Sequence, residues 1–151
     1  MADKRKNLLA LFYCANTPGG GESERRALER THGESIRLFP LPCSGRLDQL
    51  HLLRALEEFA DAAYLITCPE GECRYFEGNT RAVKRVEMAK DMIAGIGLER
   101  ERLGIVVNEK GRPKTLGEIA AELMDRIAEM EPSPVFGRRK VPSKRATEDK
   151  T

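Results

Sequence analysis

The sequence has little of what several classes of function require. Tryptophan is absent and aromatic residues make up 5% of the 151 positions, so a stacking platform for single-stranded nucleic acid is poorly supplied. No apolar run approaches the roughly 20 residues of a transmembrane helix. The apolar run behind the charged start is short and no small-residue cleavage site follows it. We therefore expect neither membrane insertion nor a secretory signal.

Histidine is also scarce, with only His32 and His51 in the chain. Neither follows a predicted strand, and we expect both on the surface. A Cys–His catalytic pair and cluster ligation by two histidines are therefore disfavoured. We expect no independent catalytic site.

Hydrophobic residues make up 40% of the chain, enough for the core of one domain, and the formal net charge is +2. The charge is unevenly distributed. Residues 132–151 contain six basic and two acidic side chains, a net charge of +4 that leaves −2 for the rest. That segment has few apolar residues, so we predict a folded domain over 1–131 and a basic, disordered tail over 132–151. We expect no nucleic-acid partner.

Short apolar runs alternate with amphipathic stretches along the chain. We predict four strands, over residues 8–13, 35–41, 63–67 and 103–107. We predict four helices, over residues 23–30, 47–60, 80–96 and 115–130. The β-α-β-α-β-α-β-α order indicates an α/β fold with a four-stranded parallel open sheet, flavodoxin-like or Rossmann-like, and helices on both faces.

Apolar spacing predicts which face of each longer helix meets the core. The second helix has a stripe of Leu47, Leu50, Leu53, Leu56 and Phe59. The third has Val83, Val86, Met92, Ile93 and Ile96, with Gly95 and Gly97 as C-cap candidates. The fourth, capped by Thr115, has Leu116, Ile119, Leu123, Ile127 and Met130. Ser23 is the expected cap of the first helix.

The four cysteines follow the first three predicted strands: Cys14, Cys43, Cys68 and Cys73. The carboxyl ends of parallel strands share one edge of a sheet, where ligand sites form. The topology therefore predicts that all four thiols lie at that edge. Each has turn or polar neighbours and none lies in an apolar stripe, which disfavours core packing as the explanation for the whole set.

Four thiols at one edge are compatible with several chemistries. Disulfides are disfavoured because nothing suggests export, and we expect a cytoplasmic protein whose thiols stay reduced. Structural zinc favours paired C-x₂-C motifs, which are absent. Four thiolates from separate loops, with one pair spaced C-x₄-C, fit an iron–sulfur cluster best.

The sequence flanking the cysteines suits an anionic cluster. Gly45 and Gly71 would let the backbone approach closely, and Arg46 and Arg74 would add positive charge. Helices predicted to start soon after Cys43 and Cys73 would offer free N–H groups and positive dipole ends. We name as candidate cofactor-binding residues Ser44, Gly45, Arg46, Gly71 and Arg74.

Read in order, these motifs resemble the delta subunit of methyl-viologen-reducing hydrogenase. The resemblance rests on Cys14 after an apolar strand, CSGR at 43–46, C-x₄-C-x-Y-x-x-G-N at 68–79 and a basic helix containing Arg85, and it covers about residues 8–127. Thr17 stands where the family usually has a further cysteine. Pro69 and Arg74 stand where it usually has histidines.

The resemblance implies a 2Fe–2S cluster bound by Cys14, Cys43, Cys68 and Cys73. It also implies electron transfer in an anaerobic prokaryote, to a heterodisulfide reductase A-like flavoprotein. The expected donor is a hydrogenase, a formate dehydrogenase or a similar dehydrogenase.

Two other functions stay open at this point. The stretch NTPGGGES at 16–23 could bind a nucleotide or phosphate before the first helix, although it matches neither G-x-G-x-x-G nor a P-loop. Alternatively, the chain is a scaffold in a larger complex that binds zinc or has lost the cluster.

Overall fold

The computed structural model describes residues 7–15, 17–42, 46–67, 78–109 and 111–134. The strands are β1 (Leu9–Cys14), β2 (Ile36–Leu41), β3 (Ala62–Thr67) and β4 (Leu103–Val107). The helices are α1 (Glu22–His32), α2 (Gln49–Glu58), α3 (Gly78–Gly95) and α4 (Leu116–Ala128).

All strand pairs are parallel, and the strands lie in the order β2-β1-β3-β4. The prediction of a four-stranded parallel open sheet is confirmed. Every residue of β1 and β3 is buried, as expected for the two central strands of a sheet covered on both faces. The chain moves outward from β1 to β2 and then back across to β3, so the switch point of the topology lies between β1 and β3.

The core consists of two layers, one on each face of the sheet. On one face, α2 and α3 pack against alternate strand residues that include Ala10, Phe12 and Leu65. On the other face, α4 and Leu28 of α1 pack against the intervening residues, which include Leu11 and Tyr64. Helices therefore cover both faces, as the sequence predicts.

Two predicted boundaries were wrong by small amounts. Cys14 is the last residue of β1, whereas the sequence placed it in the following loop. Helix α1 begins at Glu22 with Gly21 as its N-cap residue and no side-chain cap, so Ser23 is not the cap. The predicted end of β2 at Leu41 is confirmed, and Pro40 lies inside the strand. This is tolerated because β2 is an edge strand, where a missing N–H need not break the ladder.

The predicted core faces of α2 and α3 were partly wrong. Leu50, Met92 and Ile96 are exposed by 58%, 49% and 74%. The residues buried on the two helices are Leu52, Ala55, Leu56, Ala82, Val86, Ala89 and Ile93. Apolar residues at every third position move progressively around a helix of 3.6 residues per turn. The sequence prediction also left out the buried alanines, which let the helices approach the sheet closely.

The helix ends predicted from Thr115 and Gly97 are confirmed. The side chains of Thr115 and Glu118 form a reciprocal capping box at the start of α4. After α3, Gly97 has a φ of 96°, and the N–H groups of Gly97 and Leu98 donate to the carbonyls of Ala94 and Ile93. This is the Schellman arrangement that glycine permits. None of the described helices combines the length and apolarity of a membrane-spanning segment.

The amino edge of the sheet is closed by buried polar residues. Arg102 is 1% exposed, and its guanidinium donates to the carbonyl of Asp61 at 3.0 Å and to that of Glu131 at 2.7 Å. Asn7 donates to the carbonyls of Ile127 and Met130. These bonds fasten the end of α4 to the sheet. Residues 135–151, most of the predicted tail, lie outside the described residues.

Candidate functional site

The carboxyl edge of the sheet ends in one row of side chains. Cys14 is the register partner of Leu41, and Thr67 is that of Val107. Tyr13 pairs with Ile66, so Cys14 and Thr67 are the next neighbours along β1 and β3. Because side chains alternate along a strand, this row lies on the face that α2 and α3 cover.

Cys14 and Thr67 occupy the two central positions of this row and are 2% and 1% exposed. They flank the switch point between β1 and β3, where open α/β sheets place their ligands. The four side chains of the row are one thiol, one hydroxyl and two hydrocarbon groups. The row therefore shields Cys14 from water without placing a carboxylate beside it.

The turn after Cys14 is held by backbone hydrogen bonds. The N–H of Thr17 donates to the carbonyl of Cys14 at 2.8 Å, and that of Gly20 donates to Thr17 at 3.0 Å. The N–H of Ala15 bonds the carbonyl of Leu41 at 2.7 Å. Thr17, which replaces a cysteine usual in the resembled family, is buried. Cys14 is thus presented on a fixed backbone.

Tyr13 supports the same turn from the opposite face of the sheet. A Cβ on Gly20 would lie 3.1 Å from Cε2 of the Tyr13 ring and 2.9 Å from the carbonyl oxygen of Thr17, so glycine is required there. Burial raises the pKa of the Tyr13 phenol, with the nearby Arg25 charge opposing the shift. The Tyr13 phenol is therefore neutral at physiological pH, and its ring packs beneath the turn.

Of the candidate site residues, the structure describes Cys14 and Arg46. Arg46 is exposed just before α2, as expected for a solvated cation. The other candidates, Cys43, Ser44, Gly45, Cys68, Gly71, Cys73 and Arg74, lie outside the described residues. Within the described ranges, no group of three or more His, Cys, Asp or Glu side chains could hold a metal ion.

The chain segments that carry the other cysteines begin at this edge. Cys43 comes two residues after Leu41, and Cys68 comes directly after Thr67. Cys73 precedes the first residue of α3, Gly78, by five positions. Two segments, 43–45 with one cysteine and 68–77 with two, therefore join the described structure at its carboxyl edge, close to Cys14.

Arg85 connects two of these segments, a role that the sequence did not reveal. Its Nη1 donates to the carbonyl of Leu47 at 2.7 Å, and Leu47 is fully buried. This bond ties the residue after CSGR to the second turn of α3. Arg85 entered the sequence analysis only through the family resemblance, which was the one available signal.

The amino end of α2 is already capped, contrary to the expectation that it would stabilise a thiolate. The carboxylate of Asp48 accepts the N–H of Leu50 at 3.1 Å, and Nδ1 of His51 accepts the N–H of Asp48 at 2.9 Å. The exposed His51 therefore has a structural capping role. The positive end of this helix is compensated by Asp48.

The phosphate-binding alternative is disfavoured by two carboxylates. Glu22 and Glu24 lie in the first turn of α1, directly after the glycine run. A Cβ on Gly21 would lie 2.7 Å from Oε1 of Glu24, which shows that this carboxylate folds back over the start of the helix. An incoming phosphate would meet negative charge where its binding needs free N–H groups.

Asn108 is a second residue that the sequence analysis missed. It is 6% exposed, and its backbone N–H donates to the carbonyl of Thr67 at 3.1 Å. Its Oδ1 accepts the N–H groups of Glu109 and Lys114 at 2.9 and 2.8 Å. Asn108 thereby shapes the loop between β4 and α4. An asparagine directly after a strand was the signal.

Comparison with known proteins identifies a family to which the chain is similar. A family model described as "Methyl-viologen-reducing hydrogenase, delta subunit" matches residues 9–131. The vhu iron-sulfur subunit of the F420-non-reducing hydrogenase of Methanocaldococcus jannaschii is 27% identical over 83% of this chain and 94% of its own length. The vhc iron-sulfur subunit of the corresponding hydrogenase of Methanococcus voltae is 32% identical over 68% of this chain and 72% of its own.

A third similarity is to part of a longer protein. The A subunit of the ferredoxin:CoB-CoM heterodisulfide reductase of Methanosarcina mazei is 30% identical over 80% of this chain, but the match spans 14% of that relative. A domain like this one therefore also occurs within a larger protein. The family match over residues 9–131 includes β1 to α4 and the positions of all four cysteines. This chain belongs to the methyl-viologen-reducing hydrogenase delta subunit family.

Proposed function

We propose that this chain is an electron-transfer subunit with one 2Fe–2S cluster bound by Cys14, Cys43, Cys68 and Cys73. The observation that carries the proposal is the position of Cys14. It is buried at the end of β1, in the same row as Thr67, the residue directly before Cys68. A thiol buried at the switch point can serve as a cluster ligand, whereas a thiol inside an apolar core could not.

Chain geometry supports the ligand set. Neighbouring strands lie about 4.8 Å apart, and consecutive Cα atoms are about 3.8 Å apart. Cys68 is one residue and Cys43 two residues from the row that contains Cys14. The described residues nearest to these two cysteines, Leu41 and Thr67, therefore lie in the same row as Cys14. Four thiolates are also the donor set that iron–sulfur clusters take.

Each group of residues has a distinct part in this proposal. The thiolates bind, and such a cluster supplies one-electron transfer when present. Leu41 and Thr67 exclude water from Cys14, and Arg85 fixes the start of α2 relative to α3. Ser44, Gly45 and Gly71 would present backbone N–H groups, and Arg46 and Arg74 positive charge, which raise a reduction potential.

We propose a hydrogenase as donor and a heterodisulfide reductase A-like flavoprotein as acceptor, in the cytoplasm. The names of the relatives support this pairing, since one group consists of hydrogenase subunits and another relative is part of a heterodisulfide reductase. A domain that is covalently part of that reductase in one organism would have to dock to it when it is a separate chain. A formate dehydrogenase or similar enzyme is the alternative donor.

Stopped-flow reduction of the anaerobic holo-protein tests this function. We expect the candidate hydrogenase to reduce the chain, and the reduced chain to pass electrons to the flavoprotein. Raising the ionic strength should slow both steps, because docking through exposed arginines is screened by salt. Arg46→Glu should slow at least one step, whereas Arg30→Glu, an exposed site on α1, should not. Failure of both partners to exchange electrons with an iron-loaded chain would refute the proposal.

A further inference from the structure

Three exposed apolar side chains follow one another along α3 and the residue directly after it. Met88, Met92 and Ile96 recur at four-residue intervals and are exposed by 50%, 49% and 74%. Residues spaced by four are neighbours on a helix surface, and each step turns about 40° around the helix. Leu50, in the first turn of α2, is 58% exposed and adds a further apolar side chain to this pair of helices. Lys84 precedes Met88 by four, and we call Lys84, Met88, Met92 and Ile96 the α3 stripe.

Met88 and Met92 of the α3 stripe lie on the side of the helix nearer to α2. Arg85 bonds the carbonyl of Leu47, just before α2. Met88 and Met92 follow Arg85 by three and seven residues, and so share its side of α3. The two helices pack against each other, so the stripe borders the outer groove between them.

The acidic side chains of α3 have salt-bridge partners among the described residues, whereas two of its cations do not. Its two acidic side chains after the first turn, Glu87 and Asp91, are both bound by Arg100, at 3.2 and 2.5 Å. Lys90 also approaches Glu87, at 3.8 Å. By contrast, Arg81 and Lys84 are exposed and form no salt bridge with any described residue. The α3 stripe is therefore apolar at Met88, Met92 and Ile96 and basic at Lys84, the end nearer the carboxyl edge of the sheet.

We propose that the α3 stripe docks an acidic amphipathic helix of a partner subunit in the electron-transfer complex. The inference rests on the proposed function, because it assigns that complex a contact surface. A helix with an apolar face rimmed by Asp and Glu complements both features of the stripe. Methionine suits such a surface because its flexible, polarisable side chain adapts to a partner's shape.

The charges favour a different protein over a second copy of this chain. A two-fold contact would place the same stripe on both sides. Arg81 and Lys84 would then have to meet another pair of cations or leave their charge unmatched. A membrane surface is also less suitable, since the stripe contains none of the aromatic side chains that anchor interfacial helices and its cations are confined to one end.

The stripe is well placed for electron transfer. Helix α3 begins five residues after Cys73 and leads away from the carboxyl edge. At a rise of about 1.5 Å per residue, the twelve steps from Lys84 to Ile96 span about 18 Å. A helix bound along this length would hold its protein beside the edge where Cys14 lies.

The test is a binding measurement with matched charge substitutions on one helix. The full holo-chain is bound anaerobically to the immobilised heterodisulfide reductase A-like flavoprotein and, separately, to the hydrogenase. Met92→Glu should weaken binding to one of them about tenfold or more. Ala94→Glu introduces the same charge at an exposed site on another side of α3 and should leave Kd unchanged. Lys84→Glu should weaken the same complex and reduce its dependence on salt.

Other results would overturn the inference. Equal binding of Met92→Glu and Ala94→Glu, in variants with wild-type iron content, would refute the stripe and leave the proposed function intact. If the wild-type chain bound neither protein, the proposed partners and the stripe would fail together. Self-association on a sizing column, or sedimentation with phosphatidylglycerol vesicles, that Met92→Glu abolished would assign the stripe to a second copy or to a membrane.

Discussion

The carboxylate of Asp61 accepts the backbone N–H of Ser133 at 2.8 Å, across 72 residues of sequence. Both residues are buried. The other carboxylate oxygen accepts the N–H of Leu8 at 2.8 Å. One side chain at the amino edge of the sheet thus joins the start of β1, the start of β3 and the segment after α4. Buried hydrogen bonds of Asp61 therefore fasten the edge of the sheet opposite Cys14.

Asp61→Asn should destabilise the fold by about 1–3 kcal/mol, because an amide offers only one acceptor oxygen where two backbone N–H groups need acceptors. Urea unfolding at neutral pH measures the change. Asp125→Asn, at an exposed site on α4, is the matched control and should unfold as the wild type does. Equal stability of the two variants would show that the Asp61 bonds contribute little.

The bond to Ser133 also predicts where the chain can be shortened. A chain ending after Pro134 should keep its melting temperature, because it retains Ser133 and the Glu131 carbonyl that Arg102 binds. A chain ending after Met130 should melt several degrees lower, because Asp61 and Arg102 each lose a buried partner. A large drop for the first truncation would mean that residues beyond Pro134 pack on the domain.

Any side chain at Gly104 is predicted to destabilise the fold. Its register partner is Tyr64, whose ring lies over it, and an added Cβ would be 2.8 Å from Cδ2 and 2.9 Å from Cζ. The Tyr64 hydroxyl is held by the carbonyl of Glu101 at 2.7 Å, so the ring cannot easily move. Gly104→Ala should therefore cost about 1–3 kcal/mol.

Gly117 supplies the control for that substitution. A Cβ there would lie 3.7 Å from the nearest atom, a methyl of Leu28, which is an ordinary contact. Because Gly117 is in α4, Gly117→Ala should be neutral or stabilise the protein by up to about 1 kcal/mol. Thermal unfolding of both variants compares them, and a destabilised Gly117→Ala beside a neutral Gly104→Ala would contradict the packing described.

The pair of Glu99 and Arg102 predicts a contribution to stability that depends on pH. Hydrogen bonds from its own backbone N–H and from Arg102 hold the pKa of Glu99 below its usual 4.5. A carboxyl with a lowered folded-state pKa stabilises the protein above the unfolded-state pKa and loses that effect as pH falls through the folded-state value. Glu99 is 57% exposed, so the effect should stay below about 1 kcal/mol.

Glu99→Gln isolates this effect. The variant should be slightly less stable than the wild type at pH 7, and the difference should be smaller at pH 3, because the stabilisation by the Glu99 charge is lost as pH falls below the unfolded-state pKa. Urea unfolding at both pH values measures it. A difference that persisted unchanged at pH 3 would show that the charge of Glu99 is not responsible.

The sheet could be predicted from the sequence because its strands are short, apolar and separated by helices, a pattern that few folds share. β4 was predicted to the residue, and Thr115 marked the start of α4. The exposed Met92 and Ile96 could not be predicted, because apolar spacing alone does not show which of two apolar sides of α3 meets the sheet. The alanines that decide this carry a weak signal.

The candidate site could be predicted only in part. Topology indicated that Cys14 lies at the carboxyl edge, and the register confirms it. Arg85, Thr67 and Asn108 take part in hydrogen bonds that join backbone groups distant in sequence. A local pattern does not identify such distant partners, which the three-dimensional arrangement reveals.

The cluster itself is the central claim, and iron and acid-labile sulfide analysis of the chain purified without oxygen tests it most directly. We predict about two irons and two sulfides per chain, as a 2Fe–2S centre requires. Cys14→Ser should lower both, whereas Thr17→Ser, a conservative change in the same turn, should not. A folded wild-type chain without iron or sulfide, or an iron content that Cys14→Ser leaves unchanged, would contradict the account.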